Sequence, residues 1–396
     1  MSQKLVYHSG RNSYNKRFKV SQNKSYQVKK AYINPSRFIQ KARLKDQEEY
    51  VPKNLFQDLN LHPLIDRNLK NMNFNSPSPI QDQAIPYGLS DANIVGIANT
   101  GTGKTAAFAI PILHKIMVDP SSRAIILAPT RELAEQIEQH CRSIAKGSGI
   151  DGALLIGGMP MGSQLRDLRF NPRIVIGTPG RIKDHLNRTS LNLADFKIVV
   201  LDEVDRMLDM GFVNDITYIL SKIGQKRQSY YFSATLDKRV RNIIERFSDQ
   251  TVQISVKSGD TSDNVDQDIV RHSSHDKLDK LHDILIQEST TKTIIFDDTH
   301  HSVERLTKEL NGRGFLVDSI HGGRTQQQRQ RVLKRFKSNE VRVLVATDVA
   351  ARGLDVADIS HVINYSLPQT YDDYVHRIGR TGRAGKIGYA LTFIET

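Results

Sequence analysis

From about residue 51 onward, short uninterrupted apolar runs alternate with longer stretches in which apolar residues recur every three or four positions. The runs "NIVGIA" (93–98), "RAIILAP" (123–129), "GALLI" (152–156), "RIVIGTP" (173–179), "KIVVLDE" (197–203) and "QSYYFSAT" (228–235) have the length and β-branched content of buried strands. Between them, "RELAEQIEQHCRSIAK" (131–146) puts Leu133, Ile137, Cys141 and Ile144 on one helical face. Strands that are apolar throughout and separated by helices predict a parallel sheet covered on both sides. The polar stretch "VKSGDTSDNVD" (256–266) has no apolar period and predicts a linker. The alternation restarts in "KTIIFDD" (292–298), "FLVDSIHG" (315–322), "VRVLVATD" (341–348), "HVINYS" (361–366) and "GYALTF" (388–393). The pattern predicts two tandem doubly wound α/β domains, 51–255 and 267–396, joined by a flexible linker at 256–266 and preceded by an extension over residues 1–50. In such sheets ligands bind beyond the carboxyl ends of the strands, in a crevice at the point where strand order reverses.

Composition agrees with two domains, because 396 residues exceed what one core usually supports. No apolar run is long enough to span a bilayer, and the N-terminus lacks the apolar segment of a secretory signal. The single cysteine, Cys141, cannot form an internal disulfide; a reducing, cytoplasmic setting is expected, with Cys141 as a packing residue. The formal net charge is +13, and residues 1–50 hold twelve Lys/Arg against three acidic residues. Interleaved with Tyr7, Tyr14, Phe18, Tyr26 and Tyr32, this extension reads as a disordered basic arm able to contact phosphates and stack on bases. Within it, "YINPSRFIQKA" (32–42) offers a short docking helix starting after Pro35.

Two strand ends carry chemistry. In "NIVGIANTGTGKTAAFAI" a glycine-rich turn joins a strand to a helix: Gly101 and Gly103 let backbone N–H groups curl around a phosphate, Lys104 adds a positive charge, and Thr105 offers a hydroxyl to Mg²⁺. Ala98 stands where the generic phosphate-loop pattern has its first glycine. In "VVLDEVDRMLDMGF" (199–212) a buried-strand run ends in Asp202, Glu203 and Asp205. A carboxylate there can hold Mg²⁺ while its neighbour orients and deprotonates a water, the division of labour that nucleoside triphosphate hydrolysis needs.

With "DEVD" followed by "RMLDMGF", the chain resembles the DEAD-box ATP-dependent RNA helicases, with Val204 in place of the alanine of the family name. The resemblance covers about residues 55–394, rests on an ordered set of motifs and points to a stand-alone bacterial type. It implies two RecA-like domains that bind ATP and Mg²⁺ between them, with Lys104 and Thr105 on phosphate and metal, Asp202 on the metal, directly or through water, and Glu203 activating water. "FNSPSPIQ" (74–81) is similar to the family's adenine-reading element, so Phe74 is expected to stack on adenine and Gln81 to bond its edge, with Phe56 as the upstream aromatic. "ANTGTGKT" (98–105) is similar to the family's phosphate loop, which adds Thr100 and Thr102 to the nucleotide contacts. "SAT" matches the element that couples hydrolysis to strand separation, through Ser233 and Thr235. In "VATDVAARGLD" (345–355) and "HRIGRTGR" (376–383), the resemblance implies nucleotide contacts at Gly353 and Asp355, a coupling role for His376, and arginine fingers at Arg380 and Arg383.

The same resemblance implies an RNA surface of Pro129, Thr130, Arg131, Gly157, Gly158, Thr178, Pro179, Gly180 and Arg181 in the first domain, and of Arg329 and Thr347 in the second. Hydroxyls, glycine N–H groups and arginines suit sugar and phosphate and read no sequence. Two departures stand out. Asp297 and Asp298 occur together in "IIFDDTHHS" near the expected RNA path, and the family pattern usually continues into a further helix beyond "LTFIET". The expected function is an RNA-stimulated ATPase that separates short duplexes, as a monomer. An ATP-gated RNA clamp with little unwinding and a DNA-directed translocase are the alternatives.

Overall fold

A computed structural model of the chain describes residues 33–43, 50–99, 101–256, 263–351, 356–383 and 386–396. The first lobe holds β1 (Ile94–Ala98), β2 (Ala124–Leu127), β3 (Gly152–Leu155), β4 (Ile174–Gly177), β5 (Ile198–Asp202), β6 (Gln228–Ser233) and β7 (Val252–Val256) in one parallel sheet of order β3-β4-β2-β5-β6-β1-β7. The second holds β8 (Val265–His272), β9 (Thr293–Phe296), β10 (Val317–Ile320), β11 (Val343–Ala346), β12 (His361–Asn364) and β13 (Gly388–Glu395) in a parallel sheet of order β10-β11-β9-β12-β13-β8. Both are α/β layers of the expected kind. Along β5, Val199 and Leu201 join a core with Met207, Ile216 and Tyr231, while Ile198 and Val200 face the opposite core with Phe108, Ile112 and Phe232. That two-sided burial is why the strands read as continuous apolar runs.

Two strands escape the apolar pattern, β7 and β8, and both are edge strands. At the edges of their sheets they carry Gln253, Asp266, Asp268 and Arg271 among their apolar residues, and polar residues are how edges avoid further pairing. β8 therefore begins inside the stretch read as linker, where Val265 is fully buried. Within the expected arm, residues 33–43 fold onto the second lobe: Pro35–Phe38 form a 3-10 turn that starts on Pro35 rather than after it, and Gln40 pairs antiparallel with Gln267 of β8. The remainder of the arm, 1–32 and 44–49, lies outside the described residues. Among the described residues no helix is long and apolar enough to cross a membrane. Cys141 is fully buried, which pushes its thiol up to about 12 and leaves it an inert packing group.

The register sets Asp202, Phe232 and Gly96 side by side across β5, β6 and β1. The Phe232 ring fills the space beside Gly96, where an added Cβ would lie 2.5 Å from ring carbon Cδ1. Gly96→Ala is expected to cost ~1–3 kcal/mol by overpacking; urea unfolding would measure it, and a variant as stable as the parent would contradict this packing.

Candidate active site and nucleic-acid interface

Strand order distributes the motifs along the crest of the first sheet. The adjacent strands β5, β6 and β1 end in the acidic motif, "SAT" and the phosphate loop, while β3, β4 and β2 end at Gly157–Gly158, Thr178–Arg181 and Pro129–Arg131. The expected nucleotide residues thus occupy one half of the crest and the expected RNA residues the other.

At the nucleotide half, Gly101 and Gly103 take positive φ (82° and 94°), the left-handed region that glycine enters without penalty, and Gly103 precedes the helix Lys104–Val118. A glycine turn feeding a helix N-terminus presents free N–H groups to an anion. Lys104 is buried and its Nζ donates to the Ala98 carbonyl at 3.1 Å, across the mouth of the loop. At the end of β5, Glu203 also has positive φ (56°), unusual for a residue with a side chain and a store of ~1–3 kcal/mol of strain. That turn sends the chain from strand into the helix Val204–Asp209 within one residue and buries Asp202, Glu203 and Asp205 together. Burial pushes the Asp202 carboxyl up to about 7, against the pull of Lys104 and with a further push from Glu203. Its Oδ1 is buried with no hydrogen-bond partner. A buried acceptor without a partner, with a lysine nearby, fits a divalent cation.

Asp205 connects this corner to the next strand. Its Oδ2 accepts from Ala234 N–H (3.1 Å), Thr235 N–H (3.0 Å) and Thr235 Oγ1 (3.2 Å), while its own N–H donates to Ser233 Oγ at 3.3 Å. The contact between "SAT" and the acidic motif is therefore made by the fourth residue of "DEVD".

The adenine-reading element sits against the loop. Gln81 Oε1 accepts from Ser78 N–H (3.0 Å), its Nε2 donates to the Gly103 carbonyl (3.1 Å), and Ser78 Oγ donates to the Thr102 carbonyl (2.8 Å). Both functions of the Gln81 amide are thus engaged within the chain, because it caps its own helix, Pro79–Leu89, as it touches the loop. Phe56 is buried behind Phe74, ring centroids 6.1 Å apart, and Phe74 is the aromatic that keeps an exposed face. Thr100, Gly353 and Asp355 lie outside the described residues.

The second lobe delivers its arginines to the same place. Arg380 is buried, and Arg383 donates from Nε to the Gly379 carbonyl (3.0 Å). The Arg383 guanidinium reaches the phosphate loop, lying 4.0 Å from where a Cβ on Gly101 would stand. A small pocket between the lobes is lined by Arg206 from the first and Asp348, His376 and Arg380 from the second. Arg377, neighbour to His376, is a residue sequence reasoning missed: it is 2% exposed and forks onto Asp348 at 2.6 and 2.7 Å, locking "ATD" to "HRIGR". Its signal was an arginine on the same helix as buried Tyr374 and Ile378.

On the RNA half, Thr130 caps the helix Arg131–Ile144, Arg131 packs on Gly157 and Gly158, and Arg181 donates to the Met159 carbonyl at 3.1 Å. Gly180 and Pro179 open the next helix, and Thr347 is half-buried at the end of β11. Arg329, expected on the RNA path, faces the PTREL stretch of the first lobe. Its guanidinium meets Glu132 of "PTREL" at 2.9 Å with both side chains nearly buried, while Gln326 and Gln330 donate to Glu135 (3.1 and 2.7 Å). The pair joins the two lobes at the surface expected to meet RNA.

The DEAD/DEAH box helicase family pattern matches residues 78–243 and the helicase conserved C-terminal domain matches 276–385. The chain is 44% identical over 341 residues to the DEAD-box ATP-dependent RNA helicase CshA of Bacillus subtilis, covering 86% of this chain and 69% of that one. Among solved structures, Saccharomyces cerevisiae Dbp5 bound to RNA and ADP BeF3 matches with TM-score 0.76 at 31% identity, over 86% of this chain and 90% of that one. A DEAD box protein from the hyperthermophile Methanococcus jannaschii matches with TM-score 0.52 at 39% identity, over 87% and 94%. The chain belongs to the DEAD-box family of ATP-dependent RNA helicases.

Removing one partner of a buried ion pair costs ~3–5 kcal/mol because the other charge stays buried. Arg329→Ala is therefore expected to release the lobes from each other and raise the radius of gyration in small-angle X-ray scattering. Unchanged scattering would show that the pair does not hold them.

Proposed function

We propose that the protein hydrolyses ATP in the cleft between its lobes and uses the cycle to separate short RNA duplexes. The observation that carries this reading is the Arg383 guanidinium at the phosphate loop, because it makes the site a joint property of both lobes. The likeness to Dbp5, matched in its complex with RNA and ADP BeF3 at TM-score 0.76, supports it. A monomer suffices, since one chain supplies both halves, and a cytoplasmic setting fits the lone buried thiol.

The residues divide the chemistry among them. Loop N–H groups and Lys104, released from the Ala98 carbonyl, hold the phosphates. Asp202 and Thr105 would hold Mg²⁺, which when bound neutralises phosphate charge. Glu203 takes the proton of the attacking water, and its left-handed turn buries that carboxylate together with Asp202. Arg380 and Arg383 meet the charge that develops on the transferring phosphoryl group. Phe74 stacks on the base, and Gln81 exchanges its Gly103 bond for the adenine edge, which would tell the loop that the site is filled. Asp205, holding "SAT", passes the state of the acidic corner to β6. RNA lies along the β3-β4-β2 half, where Thr130, Arg131, Thr178 and Arg181 contact backbone without reading sequence.

Steady-state hydrolysis with and without saturating single-stranded RNA tests the reading. Glu203→Gln is expected to lower the RNA-stimulated rate by ~10²–10⁴ with ATP and RNA still bound. Arg383→Ala should lower it by ~10³–10⁵. Strand displacement on short duplexes, with ATP and with a non-hydrolysable analogue, separates a helicase from a clamp: a clamp would bind with either nucleotide and displace little.

A further inference from the structure

The segment 33–43 is built into the second lobe at the helix that leads to the two arginines. Phe38 is 1% exposed and shares a core with Val265, Tyr374, Ile378 and Ala390, its ring 4.7 Å from that of Tyr374. The neighbouring Arg37 guanidinium lies 3.6 Å over the Tyr371 ring. Gln40 and Gln267 exchange both backbone bonds, Gln40 N–H to the Gln267 carbonyl at 3.0 Å and Gln267 N–H to the Gln40 carbonyl at 2.7 Å. Arg43 N–H then donates to the Asp263 carbonyl at 2.7 Å, where the chain re-enters the second lobe. Asn34 caps the turn by accepting from Ser36 N–H. These contacts give the free edge of β8 its partner through residues of the same chain.

Three residues of the helix Tyr371–Ile378, namely Tyr371, Tyr374 and Ile378, face this segment. The helix is locked on another side by the Arg377–Asp348 fork. Tyr374 Oη donates to Gln267 Oε1 at 2.9 Å, so the residue that pairs with Gln40 through its backbone also holds the helix through its side chain. Just beyond, Gly382, between the two arginines, packs so closely on Val265 and Asn264 that a Cβ there would lie 2.7 Å from Val265 Cγ2. The helix, the arginine loop and the start of β8 therefore form one packed unit, and the segment 33–43 closes its open side.

We propose that residues 33–43 are a positioning strap for the arginine fingers: Phe38 and Arg37 fix the helix Tyr371–Ile378, and Gln40 fixes β8, so that Arg380 and Arg383 meet the phosphates in register. The strap acts through that helix and touches no substrate. The proposal rests on the reading of Arg380 and Arg383 as fingers. A misplacement of reacting groups by about 1 Å can cost ~10²-fold in rate, whereas the phosphate loop, the adenine-reading element and the RNA face at Thr130 and Arg181 lie on the first lobe, away from the segment's partners in the second.

The test uses the full chain carrying Phe38→Ala, Phe38→Leu or Gln40→Pro, the last removing the N–H that pairs with Gln267. Each is assayed for RNA-stimulated kcat, KM for ATP, RNA affinity and melting temperature, beside Arg383→Ala. The expected result is a ~10–100-fold fall in kcat for Phe38→Ala and Gln40→Pro with KM and RNA affinity within about twofold, and near-parental kcat for Phe38→Leu. A kcat within about twofold of the parent in both folded variants would overturn the proposal, on the scale of that positional effect. So would losses of kcat, KM and RNA affinity that move together with melting temperature, which mark a purely structural segment. If Arg383→Ala itself leaves kcat intact, the finger assignment fails; if it abolishes turnover while Phe38→Ala does not, the strap alone fails.

Discussion

A carboxylate in a protein interior needs a cation, hydrogen-bond donors or a proton, and at Asp202 that need is only partly met. Desolvation drives its proton affinity up, Lys104 draws it down, and one oxygen is left without a donor. Much of the first lobe serves that corner. Three neighbouring strands end at one level, a left-handed turn at Glu203 compresses the acidic residues into a few ångströms of chain, and Asp205 fastens the next strand to them. A site with such an unmet electrostatic demand is poised for ligands that bring positive charge with them, and a nucleotide carrying its metal is that kind of ligand.

The division of the crest into halves follows from strand order alone. In the first lobe the strands on one side of the reversal end at hydroxyls, glycines and arginines, and those on the other side end at the loop and the carboxylates. The two sets of residues are then joined by rigid strands a few positions apart, without a long chain of intermediaries. The lobes touch through a nearly dry contact between Glu132 and Arg329, so the surface expected to grip RNA also includes the contact that brings the lobes together.

What could be read in the sequence was whatever is buried on two sides or bound to glycine. The interior strands announced themselves because both faces are covered, and the phosphate loop and acidic corner because their residue types have few other uses side by side. The edge strands β7 and β8 stayed hidden because polar residues such as Gln253, Asp266 and Asp268 break their apolar runs. The roles of Glu132, Asp348 and Arg377 were hidden for a different reason: each is a charge whose partner lies far away in sequence, so its meaning resides in the pairing. The pairing of Arg329 with Glu132 was hidden on the same ground, since an arginine facing a cleft looks alike whether a phosphate or a carboxylate awaits it. Phe38 announced itself only as an apolar residue after a proline.

The strap has a consequence for how the molecule is made. Its partners in the core are Val265, Tyr374, Ile378 and Ala390, so during synthesis the strap leaves the ribosome more than two hundred residues ahead of the first of them and more than three hundred ahead of the last. The first lobe is, in topology, an insertion between two parts of the second, and it can fold as a unit while the strap waits. Contacts of such long sequence separation form late, after the cost of closing the loop has been met. The seating of Phe38 therefore marks completion: a nascent chain can acquire a nucleotide corner early, but the helix that presents its arginines gains its last support only when β13 is in place.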